Sequence, residues 1–185
     1  ARAGNSPADP AARFRELFDD AVRIRLRADV PVGTSLSGGI DSASIVTTMS
    51  SLLDATGQQH TFTCRMEDPR LDEGEFSGET ARAARASVHE VRPSPDELRA
   101  DFDALVDAQG EPFQSASLYA QWRVFAKAKA DGVTVLLDGQ GADEVLAGYG
   151  TFTAIAAAQQ LARGRFGAAR EILSAAPGNL RDLTR

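Results

Sequence analysis

Apolar positions along this chain alternate between helical and strand spacing, and the switches between the two mark its elements. Asp9-Pro10 opens a helix, with Asp as cap and Pro at the first helical position, and Phe14, Leu17, Phe18, Ala21 and Val22 follow at helical spacing. An apolar run over residues 30–36 reads as a strand, and Ile45, Val46, Met49, Leu52 and Leu53 then form a second helical stripe, ended by Gly57. Residues 59–66 alternate as a strand does, with His60, Phe62 and Cys64 on one side. A weaker Ala/Arg helix is expected over about 74–86, with a short strand at 88–91 after it. Ser94-Pro95-Asp96-Glu97 is a capping box, introducing a helix striped by Leu98, Phe102, Leu105, Val106 and Gln109. A further helix carries Leu118, Trp122, Phe125 and Ala126 and closes at Gly132. Residues 133–137 (Val-Thr-Val-Leu-Leu) read as a buried parallel strand with no wet face. From Thr151 the chain is Ala-rich and helical in pattern, the segment 179–185 included, whereas residues 1–8 are small, polar and expected to fray.

Strands separated by helices predict an α/β fold, a parallel sheet with helices on both faces and a helical C-terminal tail. The expected organisation is one domain over residues 9–150, with 151–185 as a helical extension of it. In such sheets ligands bind beyond the C-terminal ends of the strands. Two loops at those ends carry the candidate chemistry.

The first is Leu36-Ser37-Gly38-Gly39-Ile40-Asp41-Ser42, a strand end, a tight turn and a helix start. Backbone N–H groups and the dipole at a helix N-terminus favour an anion, and two glycines let a phosphate approach the backbone. Ser37 and Ser42 add hydroxyl donors. A Walker A loop would place a lysine here, but the chain's two lysines are Lys127 and Lys129. Positive charge must therefore come from a metal or from residues elsewhere, with Asp41 as a candidate ligand. The plainer reading is a helix cap by Asp41 or Ser42, which does not require two adjacent glycines between serines.

The second loop, Asp138-Gly139-Gln140-Gly141-Ala142-Asp143-Glu144, follows the last strand and precedes Gly148-Tyr149. Read by themselves, Asp143 and Glu144 could simply complement a helix dipole. Beside the first loop, Asp41 and Asp143 could share a Mg²⁺ on phosphate oxygens, since Mg²⁺ takes one or two carboxylates plus phosphate and water.

Composition narrows the setting. The length of 185 residues suffices for one domain with a core, and 43% hydrophobic with 25% charged residues is ordinary for a globular protein. A net charge of −6 leaves no electrostatic footprint for nucleic acid. The single cysteine, Cys64, excludes an internal disulfide and fits a reducing, cytoplasmic compartment. No apolar stretch approaches the ~18 residues that would span a bilayer. Two histidines and one cysteine offer no zinc spacing. His60 is expected in a structural role, while His89 could face the cleft.

Together the two loops resemble the synthetase domain of glutamine-dependent asparagine synthetases, a family of PP-loop ATP pyrophosphatases. Ser37-Gly38-Gly39-Ile40-Asp41-Ser42 is similar to the family's first motif, and Leu136-Leu137-Asp138-Gly139-Gln140-Gly141-Ala142-Asp143-Glu144 with Gly148-Tyr149 to its second. The resemblance also takes in residues 26–33, His89-Glu90-Val91 and Glu111-Pro112-Phe113, spanning roughly 14–149. It implies a Rossmann-like PP-loop fold of the adenine nucleotide alpha hydrolase-like type. It further implies a carbon–nitrogen ligase that adenylates a carboxylate with ATP, releases pyrophosphate, and lets an amine displace AMP. By the same resemblance Ser37, Gly38, Gly39, Asp41 and Ser42 hold pyrophosphate. Leu36, Cys64 and Gly139 line the adenosine side, and Asp41 with Asp143 binds Mg²⁺. Asp41, Gln140, Asp143 and Glu144 are the candidate catalytic residues.

Three departures bear on specificity. The family's second block usually reads Gly-Glu-Gly, and Gln140 replaces a glutamate thought to assist the amine. The glutaminase half with its N-terminal cysteine is not in the chain, and is expected as a partner domain in the full-length protein. The family's downstream lysine has no counterpart after Lys129. Substrates are then a small carboxylate and ammonia or an amine, aspartate being the default, and homodimerisation stays open. A sibling ligase that forms a β-lactam or macrolactam is the enzymatic alternative. A truncated, non-catalytic nucleotide-binding module is the alternative of another class.

Overall fold

The structure, a computed structural model, describes residues 9–53, 57–113 and 115–175. The expectations of fraying at 1–8 and of helix at 179–185 lie outside them. The chain divides into two compact units, residues 1–139 and 140–185, and the division falls inside the second glycine loop.

The first unit runs α1 (Pro10–Arg25), β1 (Val32–Ser35), α2 (Ile40–Leu52), β2 (His60–Cys64), α3 (Gly74–Ala83), β3 (Ser87–Val91), α4 (Pro95–Gln109), α5 (Ser117–Ala130) and β4 (Val135–Leu137). All four strands are parallel, in the order β3-β2-β1-β4. Leaving β1 the chain moves to β2 and β3, then returns to place β4 on the other side of β1. The crevice at this reversal, between the C-terminal ends of β1 and β4, is where such sheets take ligands.

Alternation along the strands sends side chains to two layers. On one face Leu36 packs with Val46 of α2 and with Ala81 and Ala84 of α3, while Leu137 packs with Met49 and with Val22 of α1. On the other face Phe62, Val91 and Val133 meet Val124 and Ala128 of α5, with Cys64 and Leu136 against them. Thr34, Thr61 and Thr63 are buried, and each hydroxyl donates to a backbone carbonyl of a neighbouring segment, that of Thr63 to Leu36 at 2.9 Å. That bond ties the end of β2 to the first residue after β1.

Capping follows the sequence. The Asp9 carboxylate accepts from the backbone of Ala11 and Ala12, and Ser94 and Glu97 form a reciprocal capping box. Loss of the Ser94 hydroxyl strands a first-turn N–H, so Ser94→Ala is expected to lower stability by about 1 kcal/mol, read as a lower urea midpoint with an unchanged slope.

Two expectations are corrected. Residues 133–137 do not form a strand buried on all sides: β4 borders only β1 among the described strands, and Val135 is 37% exposed. The buried face of α5 is Tyr119, Val124 and Ala128, while Phe125 is 44% exposed. Tyr119 can be buried because its hydroxyl donates to Asp101 of α4 at 2.7 Å, a carboxylate that Arg123 also pairs at 3.0 Å.

The second unit holds α6 (Ala142–Leu146), α7 (Gly150–Ala162) and α8 (Phe166–Ala175), and α7 packs along α8. Among the described residues no helix is long and apolar enough to cross a membrane.

Candidate functional site

The first glycine loop lies between β1 and α2, as its punctuation predicts. Leu36 continues the strand, its N–H donating to the Phe62 carbonyl at 2.9 Å, and is buried at 1% exposure. Gly38 then takes φ +103°, a conformation side chains rarely adopt. Behind it stands the start of α3: a Cβ on Gly38 would lie 2.8 Å from both the Cβ and the carbonyl oxygen of Glu73. The turn is therefore backed by solid structure on one side.

Hydroxyls staple the loop from within. Ser37 N–H donates to Ser42 Oγ at 3.3 Å, Gly39 N–H to Ser37 Oγ at 3.2 Å, and Ser42 Oγ–H to the Gly39 carbonyl at 3.1 Å. Ser37 is exposed, whereas Ser42 is 6% exposed. The plainer reading, in which Asp41 or Ser42 caps the helix, is not what forms. Gly39 is the N-cap of α2, in extended conformation and without a side chain to cap with. A helix start leaves its first N–H groups without intrahelical partners. In α1 and α4 the N-cap side chain answers some of them; in α2 the N-cap is Gly39, which has none, and Ser37 takes only the N–H of Gly39 itself. Asp41 is half-buried in the first turn.

The second loop reaches the same place. Since β4 pairs with β1 through Val32↔Val135, Gly33↔Leu136 and Thr34↔Leu137, the residues after Leu137 arrive beside those after Ser35. A Cβ on Gly139 would lie 3.1 Å from Asp41 Cβ and 3.2 Å from the Ser42 nitrogen. A glycine lets this backbone pass close to the start of α2 without crowding it. Leu36, Ser37, Gly38, Gly39, Asp41, Ser42 and Gly139 are thus gathered at one crevice. Cys64 ends the adjacent β2, part-buried toward α5, and burial pushes its thiol pKa up, with Asp72 adding to the shift. A protonated thiol is no nucleophile.

The remaining expected site residues belong to the second unit. Gln140 begins it, and Gly141, at φ +93°, caps α6. Asp143 and Glu144 occupy the first turn of α6. Gly148 N–H donates to the Asp143 carbonyl at 2.9 Å, and its missing side chain makes room for the Asp143 carboxylate, since a Cβ there would overlap it at 1.8 Å. Tyr149 donates its hydroxyl to Glu144 at 2.8 Å, which raises the phenol's pKa. The Gly148-Tyr149 pair therefore orients both acidic side chains of the motif. Among the described residues no group of three or more His, Cys, Asp or Glu side chains is clustered for a metal.

His89 does not face the cleft. It stacks on Phe62 with ring centroids 4.5 Å apart, and its ring bonds His60 at 2.9 Å and Asp131, at the far end of α5, at 2.5 Å. Residues the motifs did not reveal are Glu73, which stands behind Gly38, and Arg65 and Asp72, which are bonded to each other just ahead of it in the chain. Nothing in their spacing signals a loop that folds back onto a glycine elsewhere.

The family model described as asparagine synthase matches residues 13–183. The chain belongs to the asparagine synthase family. An asparagine synthetase (glutamine-hydrolysing) of Bacillus subtilis is 33% identical over 138 residues, covering 75% of this chain and 21% of its own length. An asparagine synthetase of Arabidopsis thaliana is 32% identical over 158 residues, with 78% and 26% covered. The amidase chyE of Penicillium rubens is 31% identical over 152 residues, with 76% and 23% covered. The chain thus spans about a quarter of the length of these curated relatives. A solved NH3-dependent NAD synthetase of Campylobacter jejuni has a similar fold, with TM-score 0.50, 16% identity, and 84% of this chain and 76% of that chain covered. The asparagine synthase family and the parallel α/β fold are thereby both established for this chain.

Proposed function

We propose that this chain is the ATP-binding part of an amide-forming ligase. The enzyme activates a carboxylate as its acyl-adenylate, releases pyrophosphate, and lets an amine expel AMP. The observation that carries the reading is the meeting of two glycine loops at the C-terminal ends of neighbouring strands, where a side chain on Gly139 would crowd Asp41 and Ser42. Membership of the asparagine synthase family and the similar fold of an NAD synthetase support it.

In this reading Ser37, Gly38, Gly39, Asp41 and Ser42 hold the pyrophosphate moiety. The start of α2 offers N–H donors and its dipole; Gly38 supplies the positive-φ turn, and Gly39, whose Cβ position is open, lets phosphate oxygens approach the backbone. Leu36, Cys64 and Gly139 line the adenosine side. A carboxylate is a poor electrophile, whereas AMP is a good leaving group. Rate is gained by aligning the carboxylate oxygen with the α-phosphorus and stabilising the departing pyrophosphate. Mg²⁺ suits the chemistry of the donors, since the carboxylates of Asp41 and of Asp143 are each hard oxygen ligands of the kind it takes beside phosphate. When bound it would neutralise charge on phosphate oxygens. Gln140 would orient the amine or the carboxylate, having no basic site with which to take a proton, and Glu144 would be held in place by the Tyr149 hydroxyl. Aspartate and ammonia as substrates, a glutaminase domain elsewhere in the full-length protein and a cytoplasmic setting belong to the same proposal.

The substitution at Gln140 favours a second reading, a sibling ligase with another carboxylate or amine. Incubating the full-length protein with aspartate, ATP and ammonia separates the two. Equal amounts of pyrophosphate and asparagine are expected for the default. Pyrophosphate without asparagine would move the assignment to the sibling, and no ATP cleavage with any carboxylate and amine tried would count against both.

A further inference from the structure

We propose that Arg65 is a positioning residue for the pyrophosphate loop, acting through Asp72 and the start of α3 upon Gly38. The proposal rests on the nucleotide reading of that loop and deepens it. Gly38 has no side chain of its own to anchor, so its place is set by what it leans on, the Cβ and carbonyl of Glu73. Glu73 is the N-cap of α3 and makes no side-chain cap bond. The start of this helix must therefore be held by something else.

Arg65 holds it. Its Nε donates to Asp72 Oδ1 at 2.9 Å and its Nη2 to Oδ2 at 2.7 Å, a two-pronged pairing that fixes the carboxylate's plane. Asp72 Oδ1 also accepts from the Met66 N–H at 3.1 Å, closing the loop over residues 66–72 on itself. The guanidinium occupies the space beside Gly74, where a Cβ would stand 2.0 Å from Nε. The third prong, Nη1, donates to Glu90 of β3 at 2.8 Å, and the backbone N–H of Arg65 donates to Val91 at 2.8 Å. One side chain thus ties Asp72, just ahead of α3, to β3, and the next residue, Glu73, backs the glycine turn.

Direct contact with phosphate is a poorer role for this arginine. Its three donor prongs all serve carboxylates, and its side chain is 23% exposed. The Arg65 hydrogen bonds hold the Asp72 carboxyl down to about 2. A depressed carboxyl contributes stability above its ordinary range, and loses it only as pH falls through the folded value. The brace therefore stays intact at every pH at which the enzyme would work. Lysine could supply the charge but not the fork that pairs Asp72 through two donors and Glu90 through a third.

The test compares Arg65→Met, Arg65→Lys, Asp72→Asn and the double variant Arg65→Met/Asp72→Asn with Asp101→Asn, in the full-length protein. Asp101→Asn removes a carboxylate from the Tyr119–Arg123 clamp between α4 and α5, away from the loop. The readouts are affinity for ATP and for inorganic pyrophosphate by calorimetry, and thermal unfolding. Each brace variant should weaken both ligands about tenfold or more, with the double variant no weaker than the worse single one, because the residues act as one unit. Asp101→Asn should lower the unfolding temperature with ATP affinity unchanged. Brace variants that bind ATP as the parent does, or an equal loss in Asp101→Asn, would overturn the proposal while leaving the nucleotide reading standing. A parent protein that binds neither ligand would reject both.

Discussion

Gly38→Ala is expected to destroy nucleotide binding and to destabilise the fold. Two costs fall on one methyl group. The turn needs φ +103°, and holding a residue other than glycine in so rare a conformation costs of order 1–3 kcal/mol. The methyl would also stand 2.8 Å from the Cβ and carbonyl oxygen of Glu73, and overpacking of this kind typically costs about 1–3 kcal/mol. Glu73 cannot simply retreat, because its carbonyl accepts from Ser77 inside α3 and its neighbours are clamped by Arg65. Relief would have to come from the turn itself, which would then lose its shape. At roughly 2–4 °C per kcal/mol for a chain of this size, thermal unfolding should fall by the order of 5–15 °C. Gly39→Ala is the informative control. Gly39 has φ −73°, and a Cβ there meets nothing closer than Ser37 Oγ at 3.5 Å. That variant should fold normally, and any loss of ATP affinity in it reports phosphate passing close to the backbone.

Asp41→Asn should remove the magnesium-dependent part of ATP binding while leaving the fold in place. Asn keeps the shape of Asp and sits equally well in the first turn of α2, so stability should change by no more than about 1 kcal/mol, the scale of a helix-dipole contact. What is lost is a hard anionic oxygen at the crevice where Gly139 meets α2. ATP affinity measured against increasing magnesium should rise in the parent and stay flat in the variant. The separation at saturating magnesium should be tenfold or more, which corresponds to about 1.4 kcal/mol. A variant whose affinity follows magnesium as the parent's does would take Asp41 out of the metal's shell.

Much of this site could be read from the sequence because glycines and serines punctuate strand ends. A Ser-Gly-Gly turn between an apolar run and a helical stripe can hardly be anything but a strand–turn–helix junction, and Asp9-Pro10 and Ser94-Pro95 start helices by local bonds alone. The parallel sheet followed from the alternation of elements. What escaped depended on contacts between segments distant in sequence. The run at 133–137 is apolar enough for a central strand, yet only the strand order makes it an edge among the described strands and leaves Val135 exposed. The helix at Ser117–Ala130 is apolar on more than one side, so its stripe could not reveal that Tyr119, once paired with Asp101, would face inward. His89 carries the chemistry of a site residue, but stacking on Phe62 and bonding to His60 and Asp131 turn it to structural use. Arg65, Asp72 and Glu73 carry no motif at all. Their importance comes from a loop that returns to the back of Gly38.

The Ser37 and Ser42 hydroxyls were expected to face a ligand, and they are engaged within the loop, Ser42 bonding back to Gly39. A staple of this kind preshapes the turn before any anion arrives, which lowers the entropy to be lost on binding. Exposed Ser37 can turn its hydroxyl outward, and Ser42, buried, would hold the pyrophosphate from within the staple that keeps the turn closed.

The most direct measurement of the central claim is calorimetric titration of ATP with magnesium into the parent protein and into Gly38→Ala, each repeated in the presence of inorganic pyrophosphate. The account predicts saturable binding of one ATP to the parent, competition by pyrophosphate, and no binding to Gly38→Ala. ATP binding that pyrophosphate does not displace, or that survives in a folded Gly38→Ala protein, would contradict it.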